Sequence, residues 1–214
     1  MKEAVRQLQT GLLGLGFNPG LVDGLEGPKT LAAAQAYVAA RAGGKAATAE
    51  ELSWMAVARG LLGLREIKGA SHEARIVQMF ADAGHAWVKD DETAWCAAFV
   101  GAVLKRAGLV NTGSLAARSY EGWGQKLPAP IYGCVGVKKR AGGASWQGHL
   151  GFVVGASAST IYLLGGNQGD AVSVAGFPRG EFTAFRWPPG VLIPASPRPL
   201  PTSLAGAASG VSEA

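Results

Sequence analysis

Three residue types that can divide the work of amide hydrolysis occur in order along this chain. Cys96 stands in Asp90-Asp91-Glu92-Thr93-Ala94-Trp95-Cys96-Ala97-Ala98-Phe99-Val100, at the start of an apolar helical pattern that follows a run of acids and a threonine suited to capping. A helix start presents unpaired backbone N–H groups and the positive end of the helix dipole, so a thiol there ionises more readily than a free one. Downstream, His149 lies in Gly148-His149-Leu150-Gly151-Phe152-Val153-Val154, which reads as a strand. Asn167 follows the next strand, in Leu163-Leu164-Gly165-Gly166-Asn167-Gln168. A thiolate attacks a carbonyl, an imidazole takes and returns the proton, and an amide fixes the imidazole tautomer. The expected catalytic set is Cys96, His149 and Asn167, with Asp170 and Gln168 as alternatives for the third role.

Each assignment has a plainer competitor. A lone cysteine in an apolar setting is usually packing, and Cys134, inside the strand pattern Cys134-Val135-Gly136-Val137, is read that way. His72 sits near a helix start and His85 between Gly84 and Ala86, so both are poorer bases than His149. Asn167 is also good turn chemistry, whatever its function. Asp90, Asp91 and Glu92 either favour the helix N-terminus or bind amine groups of a substrate. One of them must point away from Cys96, because negative charge there would raise the thiol pKa. The candidate substrate contacts are Asp91, Glu92, Trp95, Trp123, Trp146 and Gln168, with core packing the competing role for each tryptophan.

The elements that must position these groups follow from periodicity. Residues 2–15 carry Val5, Leu8, Leu12 and Leu15 at helical spacing, and 30–41 form a second, alanine-rich helix after Pro28. Helices are predicted over 54–62, over 72–83 with Ser71 as cap, and over 94–107, with 114–126 partly helical. After Pro128 the pattern turns to short strands at 132–138, 148–154, 160–164, 171–174 and 182–187, joined by turns rich in Gly, Ser and Asn. Helices first and strands second predict an α+β fold, with a small helical N-terminal module before a domain of helices packed on an antiparallel sheet of about five strands. The expected organisation is a module at 1–44, a linker at 45–50, a catalytic domain at 51–190 and a flexible Pro/Ala/Ser/Gly tail at 191–214.

Composition narrows the classes. The chain has 214 residues, 48% of them hydrophobic, which suits globular packing. Its formal charge of +5 suits polyanionic partners, but no Lys/Arg-dense run carries interleaved aromatics, so nucleic acid is not expected. Only two cysteines occur, and neither they nor the histidines have metal-ligand spacing, so no metal and no cofactor are expected. Met1-Lys2-Glu3-Ala4-Val5-Arg6 lacks the apolar core of a secretory signal, and no run reaches membrane-spanning length. The expectation is a monomer made in the cytoplasm, without membrane insertion, that reaches any outer target by separate release.

Residues 1–44 resemble the three-helix peptidoglycan-binding module. The likeness rests on Val5, Leu8-Gln9, Leu12, Leu15-Gly16-Phe17, Pro19-Gly20, Val22-Asp23-Gly24, Gly27-Pro28, Thr30 and Ala33. It departs at Leu25-Glu26, where that family has an aromatic before the glycine, and at Gln35-Ala36-Tyr37. It implies wall contacts from Asp23, Gly24 and Thr30. Residues 51–188 resemble the CHAP and NlpC-type cysteine hydrolases, papain-like in fold, on Trp95-Cys96-Ala97-Ala98-Phe99-Val100, Gly148-His149-Leu150-Gly151-Phe152-Val153-Val154 and the Gly165-Gly166-Asn167-Gln168 turn. Many CHAP members have a carboxylate where this chain has an amide. Together the two likenesses resemble a modular bacteriophage-type endolysin. They imply cleavage of an amide bond in bacterial peptidoglycan through a cysteine thioester, as endopeptidase or N-acetylmuramoyl-L-alanine amidase. Alternatives are a secretion-system toxin, a protein-directed peptidase or acyltransferase, and a non-catalytic wall-binding protein.

Overall fold

The computed structural model describes residues 2–14, 17–42, 51–140, 143–144 and 147–209. The chain divides into two compact units, Met1–Glu50 and Glu51–Ala214. The linker expected at 45–50 lies outside the described residues.

In the first unit the described residues form α1 (Lys2–Gly14) and α2 (Pro28–Ala42), with irregular backbone over 17–27, so two helices are described where the resemblance implies three. Pro28 sits at the first helical position of α2, where a missing N–H costs nothing. The buried stripe of α1 differs from the expected one. Leu12 is buried, but Leu8 is half exposed and Gln9 takes the inward place. The Gln9 amide nitrogen donates to Asp23 Oδ1, Leu25 O and Thr30 Oγ1, and its oxygen accepts from the Gly24 N–H at 2.8 Å. Thr30 in turn donates to Pro19 O. One buried side chain thus satisfies the loop that a unit this small could not stabilise by apolar burial alone.

The second unit is α+β. Helices α3 (Ser53–Arg59), α4 (Ala74–Asp82) and α5 (Cys96–Arg106) come first, followed by a 3-10 helix, Ala117–Gly122. The strands are β1 (Gln125–Leu127), β2 (Val135–Lys139), β3 (Gly148–Ala156), β4 (Thr160–Gly165), β5 (Ser173–Pro178), β6 (Phe182–Trp187) and β7 (Ala208–Ser209). They lie in the order β1-β6-β2-β3-β4-β5-β7, antiparallel throughout except for the parallel β5–β7 edge. Helix α5 is buried from Cys96 to Leu104 on every side, which marks it as the core helix. Phe99 meets Phe152 of β3 edge to face, with centroids 6.1 Å apart.

Three local expectations are corrected. Helix α4 starts at Ala74, because the Glu73 carboxylate accepts from the Arg75 N–H and so supplies the cap expected from Ser71. Strand β1 was not legible, since three residues of an edge strand carry too little alternation. The tail expected to be flexible from 191 is laid against the domain as far as it is described. Ala156 N–H donates to Pro201 O at 2.9 Å, the Arg198 guanidinium lies 4.7 Å from the Tyr132 ring centre and 3.5 Å from Glu51, and β7 pairs with β5. Proline and small residues remove periodicity without removing hydrogen-bonding capacity, so composition alone misread this segment.

Replacing Gln9 with Ala leaves the buried Gly24 N–H without its acceptor, at about 1–3 kcal/mol, and removes the donor to Leu25 O and Thr30 Oγ1. Hydrogen exchange on the full chain should then show loss of amide protection over 2–42 with protection over 51–209 unchanged. Unchanged protection in both units would remove Gln9 from this role.

Candidate active site

The entry to α5 is built by carboxylates turned on the backbone. Asp90 Oδ1 accepts from the Thr93 N–H at 2.7 Å and from its hydroxyl at 2.8 Å, and these bonds hold the Asp90 carboxyl below its ordinary value. Thr93 is therefore spent on Asp90 and does not cap the helix. The N-cap is Trp95, which makes no side-chain cap, and the first helical bond runs from the Phe99 N–H to Trp95 O at 2.8 Å. The first-turn N–H groups, that of Cys96 among them, have no acceptor within the helix. That is the electrostatic setting that stabilises an anion.

The two thiols differ in setting. Cys96 retains 7% exposure at the helix start, whereas Cys134 has none, and burial pushes the Cys134 thiol up to about 12. Cys134 is a packing residue, as expected.

His149 is 1% exposed on β3, and its Nε2 lies 3.0 Å from Gln168 Oε1. The orientation of the Gln168 amide is fixed independently. Its nitrogen donates to Ser173 O at 2.7 Å and to Ser173 Oγ at 3.2 Å, so its oxygen must be the atom facing the imidazole. An amide oxygen only accepts, so the proton sits on Nε2 and the basic lone pair on Nδ1. The Phe177 ring packs at 5.4 Å from the imidazole and limits its rotation.

The amide that meets the imidazole is thus that of Gln168, the alternative, and not that of Asn167. Asn167 is buried with a left-handed backbone, φ 57°, and its amide nitrogen and oxygen find no hydrogen-bond partner among the described residues. Asp170 also has a left-handed backbone, and its carboxylate pairs with Lys68 at 3.1 Å. Which amide of Gly-Gly-Asn-Gln turns back toward His149 depends on the dihedral path of the β4–β5 turn, which residue types alone do not disclose.

Gly166 ties this pair to the cysteine helix. A Cβ at Gly166 would lie 2.5 Å from a Trp95 ring carbon and 2.6 Å from the Phe99 Cβ. Only glycine lets the end of β4 come this close, so the start of α5 rests on the residue two before Gln168. The helix start bearing Cys96 and the His149–Gln168 pair therefore share one end of the sheet.

The residues expected to touch substrate are mostly structural. Asp91 is fully buried: it accepts from the Ile67 and Glu73 N–H groups at 2.8 Å and lies 3.0 Å from His72 Nδ1. Burial alone would raise its carboxyl, yet those bonds hold it below the ordinary value. Glu92 is exposed and accepts from the Gly69 N–H. Trp95 has no exposure and donates its indole N–H to Glu66 at 3.0 Å. Trp123 donates to Val110 O and packs on Tyr120. Trp146 lies outside the described residues. Gln168 is turned to the imidazole. In the first unit, Gly24 and Thr30 are buried, and the Asp23 carboxylate is occupied by the Leu25 N–H and Gln9. Glu66 escaped sequence reading, because no spacing marks an acid that lies beneath a distant indole. Burial raises its carboxyl, and Asp170 and Asp91 add to that.

Comparison of the chain with family models, with curated proteins and with solved structures gave no match.

Nitrogen NMR of the His149 ring should show Nε2–H as the dominant neutral tautomer. Gln168→Leu should redistribute it, whereas Asn167→Gly should leave it unchanged; the reverse pattern would return the role to Asn167. Asp91 gives a pH signature. Its folded pKa is depressed, so its contribution is present above the ordinary carboxylate value of about 3.9 and is lost as pH falls through the folded value. The unfolding free energy of Asp91→Asn should be lower at neutral pH by about 2 kcal/mol, and its pH dependence flatter below pH about 4.

Proposed function

We propose that this chain is a cysteine-dependent peptidoglycan hydrolase with a papain-like catalytic unit, in the layout of a modular endolysin. The observation that carries the reading is the locked imidazole: Ser173 orients Gln168, and Gln168 fixes the proton of His149 on Nε2, at the sheet end on which the cysteine helix starts. A buried histidine needing only satisfaction could use any acceptor. An acceptor oriented by its own second bonds gives the base a single tautomer.

In this reaction Nδ1 of His149 takes the Cys96 proton, and the thiolate attacks an amide carbonyl of the wall. The oxyanion is met by first-turn N–H groups of α5. The imidazolium then protonates the leaving amine, the C–N bond breaks and a thioester remains. Water, deprotonated by His149, attacks the thioester, releases a carboxylate and restores the thiol. Gln168 is uncharged, so it orients the imidazolium without neutralising it, and the opposing charge is the thiolate itself. The bond is either the muramoyl–alanine amide or a peptide bond of the stem. Wall contacts of the first unit would come from exposed loop side chains such as Leu21 and Leu25, since the polar groups of Asp23, Gly24 and Thr30 are used internally.

Cys96→Ala should abolish clearing of purified walls, a loss on the order of 10⁶-fold in the chemical step, with wall sedimentation retained. Mass spectrometry of the digest separates a new lactyl end, the mark of an amidase, from a new peptide amine. An iodoacetamide footprint of the native protein should fall on Cys96 and reach Cys134 only after denaturation. Clearing by the alanine variant would end the cysteine mechanism.

A further inference from the structure

A second feature of the larger unit is unexplained by the mechanism. Between the 3-10 helix, β1 and β6 lies a cleft of about 630 Å³, whose walls carry Arg118, Lys126 and Arg186 against Glu121 alone. Glu121 is already neutralised. It accepts both Arg118 nitrogens, at 2.9 and 3.1 Å, and the Thr183 hydroxyl at 2.6 Å. The other two cations form no ion pair among the described residues. Among the described residues Arg186 donates only to the uncharged carbonyl of Glu121, and its buried Nε finds no partner.

The register sharpens this. Lys126 and Arg186 are directly opposite each other in the antiparallel β1–β6 pair. Like charges in that position repel and weaken a sheet. An exposed lysine on an edge strand can serve to discourage strand pairing, which accounts for Lys126 alone. It accounts neither for Arg186, one strand in, nor for its orphaned buried nitrogen. Two unneutralised cations held together are explained by an anion that binds between them.

The cleft also has an apolar wall, where Phe182 and Phe185 stack at 5.5 Å and 15°. Rings beside paired cations suit a carboxylate carried on a short apolar backbone better than a uniformly polar phosphate chain. Its location narrows the source. A Cβ on Gly148 would fall 2.7 Å from Arg118 Cγ, so the Arg118 stem lies directly on the strand start that leads into His149. Lys126 and Arg186 stand further along the sheet, level with Val135 and Phe152, so a ligand spanning the cleft would extend from that pair toward the start of β3 by way of Arg118.

We propose that this cleft is a substrate subsite that binds the free carboxylates of the stem peptide through Lys126 and Arg186, an inference that rests on the peptidoglycan-hydrolase reading. The test is steady-state kinetics on soluble disaccharide-peptide fragments, as free acids and after carbodiimide amidation with ammonia. For the unmodified enzyme, amidation should raise KM about fivefold at low salt with kcat unchanged, the scale of one partly screened charge contact. Lys126→Gln, at an exposed position, should raise KM similarly on the free acid and erase the difference between the two forms; Lys126→Glu should raise it further. Arg186→Gln should do the same, with Lys126 keeping the test decisive if that variant fails to fold. Hydrolysis with equal KM on both forms, or a Lys126→Glu variant that behaves as the parent, overturns the subsite alone. Hydrolysis of neither form overturns the hydrolase reading and the subsite with it. If binding to intact walls is lost when phosphate polymers are stripped with acid, while KM on the fragments ignores Lys126, the cleft serves a phosphate polymer and the proposal fails.

Discussion

The contact of Gly166 beneath Trp95 and Phe99 is the constraint on which the second unit depends. A side chain at 166 would displace α5 from the end of β4, and with it the register between the helix start and the turn that carries Gln168. Around that contact the interior closes as a single core, from Trp54 and Met55 of α3 through the whole of α5 to Phe152 and Leu164 of the sheet. Because packed interiors do not deform smoothly, a tight helix–strand approach transmits its position to everything attached to it. The site inherits its geometry from that approach more than from any bond made within it.

Both units use a buried glutamine where a charge would have been costly. Gln9 satisfies a loop in the first unit, and Gln168 joins His149 to Ser173 in the second. A primary amide offers donors and acceptors without the desolvation cost of an ion, so it can organise a small interior in which an unpaired carboxylate would be unstable. The carboxylates near Cys96 are handled differently. Asp90 and Asp91 are turned onto backbone N–H groups and Glu66 onto an indole, so negative charge is consumed in holding the loops and is not directed at the thiol.

Much of the outline was legible in the sequence. The apolar period of 96–106, the alternation around His149 and the breaks at glycine-rich turns gave the α+β order, the cysteine helix and most strand positions within a few residues. These signals are local, because backbone hydrogen bonding and the inward or outward alternation of side chains are set by neighbours in sequence. The short edge strands and the docked tail were not legible, because their pairing partners are remote and their own composition is neutral.

Function-bearing detail divided along the same line. Sequence alone determined which side chains were able to act: a thiol at a helix start, an imidazole on a strand, and two amides in the turn that follows. Tertiary structure decided which amide meets the imidazole, that Asp91, Trp95 and Trp123 are interior, and that Lys126 and Arg186 stand opposite each other. The physical reason is that residue type fixes chemical capacity. Direction, burial and pairing depend on backbone paths through turns and on contacts between segments far apart in the chain, and no single stretch contains that information.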